Sequence, residues 1–293
     1  MRLLHCKPNE PNDPFISSLE EFQSLAPKYS ILSHCWGKVD EEVSFRDMED
    51  GTANQRGPGF EKLMRSFEQT LKDGNEYIWI DTCCIDKRSS AELSEAINSM
   101  YSWYEGSSVC YAYLHDVEKQ KSMSDYAKKY SAFRSSKWFR RGWTLQELIA
   151  PRKVVFYAKD WSKIGTKLDM ADLVAEITNI DVGVLRNDAG QSDISVAKRM
   201  SWAASRQTTR VEDIAYSLMG LFGVNMPTLY GEGSNAFFRL QEEIMRTTYD
   251  HSLFAWKMRR SQLEAGLLAS SPQQFSNSTD VVSVDYNRCK DIL

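Results

Sequence analysis

The stretch Ser135 to Leu148, SSKWFRRGWTLQEL, gathers two tryptophans, three cationic side chains and one carboxylate into a short segment. Such a set can do chemistry. A carboxylate can steady a developing positive charge, an indole face can stack on a planar ring, and an arginine pair can grip phosphate oxygens through charge-assisted hydrogen bonds. Read as a helix from near Gly142 to just before Pro151, the segment puts Trp143 and Glu147 on one face and Leu145, Leu148 and Ile149 on the other. The charges suit that helix poorly: Arg140 and Arg141 lie at its positive end and Glu147 toward its negative end. Glu147 therefore has two readings, an ion pair with Arg140 or Arg141 or a member of a site facing a cleft. The unfavourable placement of the charges favours the site.

Two further segments carry candidate groups. YSILSHCWG has an apolar run from Tyr29 to Leu32 that ends in Ser33, His34, Cys35 and Trp36. EYIWIDTCCID is apolar from Tyr77 to Ile80, and Asp81 is its first charged residue after that run. Asp81 can satisfy backbone amides in the turn after a strand, or it can orient a ligand hydroxyl or a catalytic side chain. His34, Cys35, Cys83 and Cys84 supply zinc-type ligands, but adjacent cysteines do not match the spacing of tetrahedral sites. A cysteine nucleophile paired with His34 needs a third, orienting group that the sequence does not place, so buried, inert thiols are the preferred reading. The G-x-G-x-x-A match from Gly231 to Ala236 follows no convincing strand; a turn opening a helix capped by Ser234 is the better reading.

The elements that must position these groups follow from hydrophobic patterning. Apolar runs at Tyr29–Leu32, Tyr77–Ile80, SSVCYAYLHDV and RKVVFYAKDW read as buried strands. Between them, Phe60, Leu63, Met64, Phe67 and Leu71 recur at helical spacing and stop at Gly74, and Ser89 with Glu92 forms a capping box for a helix to about Tyr104. The segment around Glu147 makes a third helix. This alternation predicts an α/β fold with a parallel sheet covered by helices, in which ligands bind beyond the carboxyl ends of the strands. Ser33–Trp36 and Asp81–Cys84 fall on that edge. From Met170 the signals are helical: MADLVAEIT, ISVAKRMSWAAS, RVEDIAYSLMGLFG and NAFFRLQEEIMRTTY. Residues 1–165 are read as the α/β core, 166–258 as a mostly helical extension and 259–293 as a Ser- and Gln-rich linker.

Composition narrows the class. The 293 residues, 42% hydrophobic and 26% charged, can bury a substantial core. A net charge of -4 with dispersed Lys and Arg gives no footprint for nucleic acid or an anionic membrane. The opening MRLLHCKPNEPNDP has no apolar core of a signal peptide, and no stretch is long enough to span a bilayer, so a cytoplasmic location is expected. Cys6, Cys35, Cys83, Cys84, Cys110 and Cys289 form no C-x-x-C pair and read as free thiols. Most of the eight tryptophans are expected in the core.

ILSHCWG, YIWIDTCCID and WFRRGWTLQEL together resemble the hallmark blocks of the fungal heterokaryon incompatibility (HET) domain family. LYGEGSNAFFRLQEEI and GLLASSPQQF are similar to stretches of its longer members, so the resemblance covers nearly the whole chain. It implies a fold shared with Toll/interleukin-receptor (TIR) domains, a flavodoxin-like parallel sheet. Many TIR domains cleave NAD between nicotinamide and ribose, using a glutamate in a motif of the form S-x-W-C-x-x-E-L. RGWTLQEL resembles that motif, with Trp143 and Glu147 at its tryptophan and glutamate and Thr144 in place of its cysteine. The resemblance thus implies an NAD glycohydrolase with Glu147 and Asp81 catalytic and with Ser33, His34, Trp36, Gly37, Arg140, Arg141 and Trp143 around the substrate. NAD would be substrate, with no cofactor or metal. It further implies a cell-death effector in fungal incompatibility and innate immunity, switched on by homo-oligomerisation or by an attached or partner sensor of the NLR type. A non-enzymatic module that signals by assembly is the alternative.

Overall fold

The computed structural model describes residues 1–6, 18–23, 25–188, 194–257 and 266–282. The chain divides into two compact units, one made of 1–138 and 150–170, the other of 139–149 and 171–293.

The first unit is built on a seven-stranded sheet. Its strands are β1 (Arg2–His5), β2 (Leu19–Glu21), β3 (Tyr29–His34), β4 (Tyr77–Trp79), β5 (Val109–Tyr113), β6 (Val154–Tyr157) and β7 (Lys163–Thr166), in the order β2-β1-β4-β3-β5-β6-β7. The four expected strands are β3, β4, β5 and β6, and they pair in parallel. Their order, second-first-third-fourth, is that of flavodoxin-like sheets, with the direction of winding reversing between β3 and β5. The sheet as a whole is mixed, because β1, β2 and β7 add antiparallel edges. These three were not expected, since strands of three or four residues are too short to show a period. The N-terminal stretch, which has no signal-peptide core, places Leu3 and Leu4 in the core of the fold.

The helices of this unit are α1 (Phe45–Glu49), α2 (Pro58–Lys72), α3 (Asp81–Cys84), α4 (Ser90–Glu105), α5 (Met123–Ala127) and α6 (Ala132–Ser135). Helix α2 buries Leu63, Ser66, Phe67 and Thr70, and the chain after it brings Asn75 to donate to the Ser30 hydroxyl at 3.0 Å. Helix α4 buries Ala96, Ile97, Met100 and Tyr104, and the carbonyl of its Trp103 accepts from the Tyr29 hydroxyl. Tyr29 and Ser30 point to opposite faces of β3, so α2 and α4 cover the sheet on both sides. Ser89 caps α4 by accepting from Glu92 N–H. The return half of the expected capping box is absent: the Glu92 carboxylate pairs with Arg2 and accepts from Asp86 N–H instead. Trp79 and Trp138 fill the core of this unit, Trp103 and Trp161 are half-buried and Trp36 is exposed.

The second unit is helical: α7 (Thr144–Ile149), α8 (Ala171–Thr178), α9 (Val182–Leu185), α10 (Val196–Ala203), α11 (Asp213–Tyr216), α12 (Met219–Phe222) and α13 (Asn235–Thr247). RVEDIAYSLMGLFG forms two short helices, the second stopped by Gly223 at φ 65°. Trp202 is buried here, while Trp143 and Trp256 are half-buried. The expectation that most tryptophans are core therefore holds for Trp79, Trp138 and Trp202 only.

Part of the stretch read as a linker is packed. Gln241 on α13 clasps the backbone of Ala269 with both amide atoms, and Phe275 is buried. Its polar residues serve as backbone partners, which composition alone does not distinguish from solvated sequence. Residues 258–265 and 283–293, including Cys289, lie outside the described residues. Among the described residues no helix is long and apolar enough to cross a membrane.

Candidate functional site

Strand β3 ends at His34, and β4 is followed directly by Asp81 at the first position of α3. The parallel pairing of β3 with β4 brings these two ends to the same carboxyl edge. There His34 Nδ1 lies 4.0 Å from Asp81 Oδ1, and the Trp36 indole N–H donates to Asp81 Oδ2 at 2.8 Å. Asp81 is thus held by side chains. Asp81 Oδ1 is buried and has no hydrogen-bond partner among the described residues.

Two residues that the sequence reading did not select complete the cluster. The Lys62 ammonium on α2 lies 2.6 Å from both oxygens of Glu42, and Gly37 N–H donates to Glu42 at 2.6 Å. His34 Nε2 stands 3.7 Å from the same carboxylate, beyond hydrogen-bond range. Burial opposes ionisation of Glu42, but the His34 ring, which is cationic in the acid range where a carboxyl titrates, outweighs it together with Lys62 and the Gly37 N–H and holds the carboxyl well below the usual range. His34 is itself pushed down from its ordinary value by burial first and by Lys62 second, against the pull of Glu42 and Asp81. We take His34 as neutral near pH 7, leaving Lys62 as the cation that keeps Glu42 ionised.

This arrangement has a pH signature. The unfolded chain protonates His34 near 6.5 while the folded chain resists, so the unfolded state binds more protons as pH falls below that value. Stability is expected to be full above pH 6.5 and to decline toward pH 5. Denaturant unfolding at both pH values should show the loss, and His34→Gln should flatten it.

Ser33 does not join the cluster. It points to the opposite face of β3 and accepts from the buried Trp138 indole at 2.8 Å. The cysteines also serve packing. Cys83 donates to Val43 O, Cys84 accepts from Ile80 N–H, and burial pushes the Cys83 thiol up to about 12. A thiol so far from ionisation is a poor nucleophile. Among the described residues no group of three or more His, Cys, Asp or Glu side chains is arranged to hold a metal ion.

In the second unit, Arg140 and Arg141 are set by backbone pairing. Gln207 N–H donates to Arg140 O and Gly142 N–H to Gln207 O, a parallel bridge that fixes the entry to α7. Gly142 is required there, because a Cβ would lie 2.5 Å from Thr208 Cγ2. Helix α7 has six residues, all buried. Glu147 consequently falls in its first turn, where the helix dipole favours a carboxylate. The expected misfit of Glu147 came from reading the helix too long, and its face is enclosed rather than open, with Glu147 only 7% exposed. Arg140 and Arg141 remain at the dipole's positive end.

The charge facing Glu147 includes one from far along the chain. Arg206 is buried, donates to Arg141 O at 2.9 Å and Thr144 Oγ1 at 3.0 Å, and lies close enough to Glu147 for the carboxylate to offset part of the penalty of burying a guanidinium. The Trp143 indole donates to Asp213, which burial pushes above the usual carboxylate range. The G-x-G-x-x-A loop is a turn before α13. Glu212 accepts from both Gly231 and Gly233 N–H, which occupies the amides a phosphate would need. Ser234 holds the N-cap position but makes no side-chain cap. Gln207 and Arg206 carried no local signal, because their partners are more than sixty residues away in the chain.

One unit thus carries a mixed α/β sheet with an aromatic and acidic cluster at its carboxyl edge, and the other, helical unit carries a Trp-Glu helix. Residues 29–127 match the family model described as Heterokaryon incompatibility protein (HET), and the chain belongs to that family. Residues 235–265 match a domain of unknown function, DUF8212. Over 220 residues, 74% of its length, the chain is 46% identical to Vegetative incompatibility protein HET-E-1 of Podospora anserina. It spans 16% of the length of that relative. No solved structure matches.

Proposed function

We propose that this chain acts as the HET module of a cytoplasmic heterokaryon-incompatibility protein, and that it kills by cleaving NAD to nicotinamide and ADP-ribose. The observation that carries the reading is the buried, unpartnered Asp81 Oδ1 beside the exposed Trp36 indole at the carboxyl edge of the sheet. An acceptor without a protein donor, once uncovered, suits a sugar hydroxyl, and the ring beside it suits a planar base.

In the step itself the bond from ribose C1′ to the nicotinamide nitrogen breaks. Its electron pair neutralises the cationic ring, which leaves as neutral nicotinamide. The ribosyl centre passes through an oxocarbenium-like state that a carboxylate stabilises. Water then adds to C1′, and its proton is released through that carboxylate to solvent. Similarity to the TIR motif assigns the carboxylate to Glu147. Activation would come through homo-oligomerisation or an attached or partner sensor of the NLR type.

The test is nicotinamide release from NAD by concentrated protein. Glu147→Gln and Asp81→Asn are each expected to lower turnover at least about tenfold. Equal turnover by wild type and Glu147→Gln would remove that assignment, and no turnover in any assembled state would remove the activity. The burial of Glu147 beside Arg206 favours a second reading, in which the pair is structural and the module signals by assembly alone. Killing that survives both substitutions, yet is lost when surface changes block assembly, would select it.

A further inference from the structure

We propose that the exposed face of Trp36, with Asp81 beside it, is a subsite for a cationic aromatic ring carrying a ribosyl group, and that Lys87 sets its selectivity by occupying that face when no ligand is present. The inference deepens the proposed function and rests on it for the ring's identity, a pyridinium.

The geometry is specific to one side of the indole. Trp36 is 45% exposed, although its N–H is held by Asp81 Oδ2. The Lys87 ammonium, in the exposed turn between α3 and α4, sits 3.8 Å from the ring centroid, well inside cation–π range. The carboxylates that surround its neighbour Arg88 do not hold it. Asp86 accepts from Arg88 at 2.7 and 2.9 Å, and Glu49 accepts from the same guanidinium at 2.8 Å. No carboxylate of the described residues lies within ion-pairing distance of the Lys87 ammonium, so the π face is what retains it.

A face that holds an ammonium favours a positively charged ring over a neutral one of the same shape. Asp81 adds to that preference, because its charge lies at the edge of the same indole. An incoming cationic ring must also displace Lys87, because two cations cannot share the face. Lys87 thereby weakens every ring that binds there, cationic rings most. The consequence for a dinucleotide is discrimination between oxidised and reduced forms, since only the oxidised nicotinamide is charged.

Isothermal titration of the whole chain with two ribosides tests this: nicotinamide riboside, which is cationic, and benzamide riboside, a neutral ring of the same outline. The cation is expected to bind about tenfold more tightly. Lys87→Met, at an exposed position, is expected to tighten the cation about two- to fivefold and the neutral riboside less. Trp36→Leu should abolish the preference, and Trp36→Phe should keep part of it. Equal affinities for the two ribosides, or a Lys87→Met variant that binds the cation no better, would overturn the proposal. Nicotinamide release from NAD is followed on the same preparations. Selective binding without release keeps the subsite and removes the hydrolase, whereas release without selectivity removes the subsite.

Discussion

Lys62→Met is expected to cost about 3 kcal/mol of unfolding free energy, because it leaves the Glu42 carboxylate enclosed without its counter-ion. Both side chains are only 12% exposed, so solvent screening does little to replace the lost partner. The remaining contacts do not compensate. Gly37 N–H still donates to Glu42, but the neutral His34 ring 3.7 Å away brings no charge. Glu42 would then draw a proton at much higher pH, and the variant should regain stability on mild acidification where the wild type loses it. Glu42→Gln in the same background should recover most of the loss, because neither charge then remains buried. Denaturant unfolding at pH 7 and pH 5 reads both effects. A loss below about 0.5 kcal/mol would show that the pair behaves like a surface ion pair.

Trp138→Ala should be larger still, at about 3 to 5 kcal/mol. Trp138 is fully buried, packs edge-on against Phe156 of β6 at 5.8 Å and donates to Ser33 of β3. It therefore ties two strands of the parallel core from one side chain. Its removal leaves a cavity and strips the Ser33 hydroxyl of its indole donor. The first thermal transition should fall on the order of 10 °C. Trp138→Phe, which fills most of the volume but cannot donate, should lose less than half as much. A similar loss in both variants would place the energy in the hydrogen bond rather than in packing.

How much of this was legible in the residues depended on how far each signal reaches. Strands β3, β4, β5 and β6 are buried nearly throughout, because helices cover both faces of a parallel sheet, and the apolar runs this demands are visible in a few residues. Helices α2, α4 and α13 carry enough turns for their apolar stripes to repeat. Strands β1, β2 and β7 are recognised only through their partners. Helix α7 shows how a boundary error spreads into function: beginning it two residues early and ending it late turned a well-placed Glu147 into an anomaly.

The candidate site divided in the same way. Trp36 and Asp81 were found because each follows an apolar run, and the edge of a parallel sheet is where such ends converge. Glu42 and Lys62 were missed because, in sequence, they are ordinary charged residues twenty positions apart. Only the fold buries them together. Ser33 was selected for the same position as His34 and lies on the other side of the sheet, a reminder that adjacent strand residues serve different faces.

The discontinuous path of the chain bears on how such a protein can be dissected and inherited. It leaves the sheet-bearing unit after residue 138, returns at 150 and leaves again after 170. Neither unit is a contiguous stretch, so no single cut yields either one whole. A fragment ending near residue 165 would keep the Arg140–Gly142 backbone but lose Gln207 and Arg206, the groups that anchor it. Recombination that exchanged one half of this stretch for another would separate hydrogen-bonded partners. The two units are therefore expected to travel between genes as a single block.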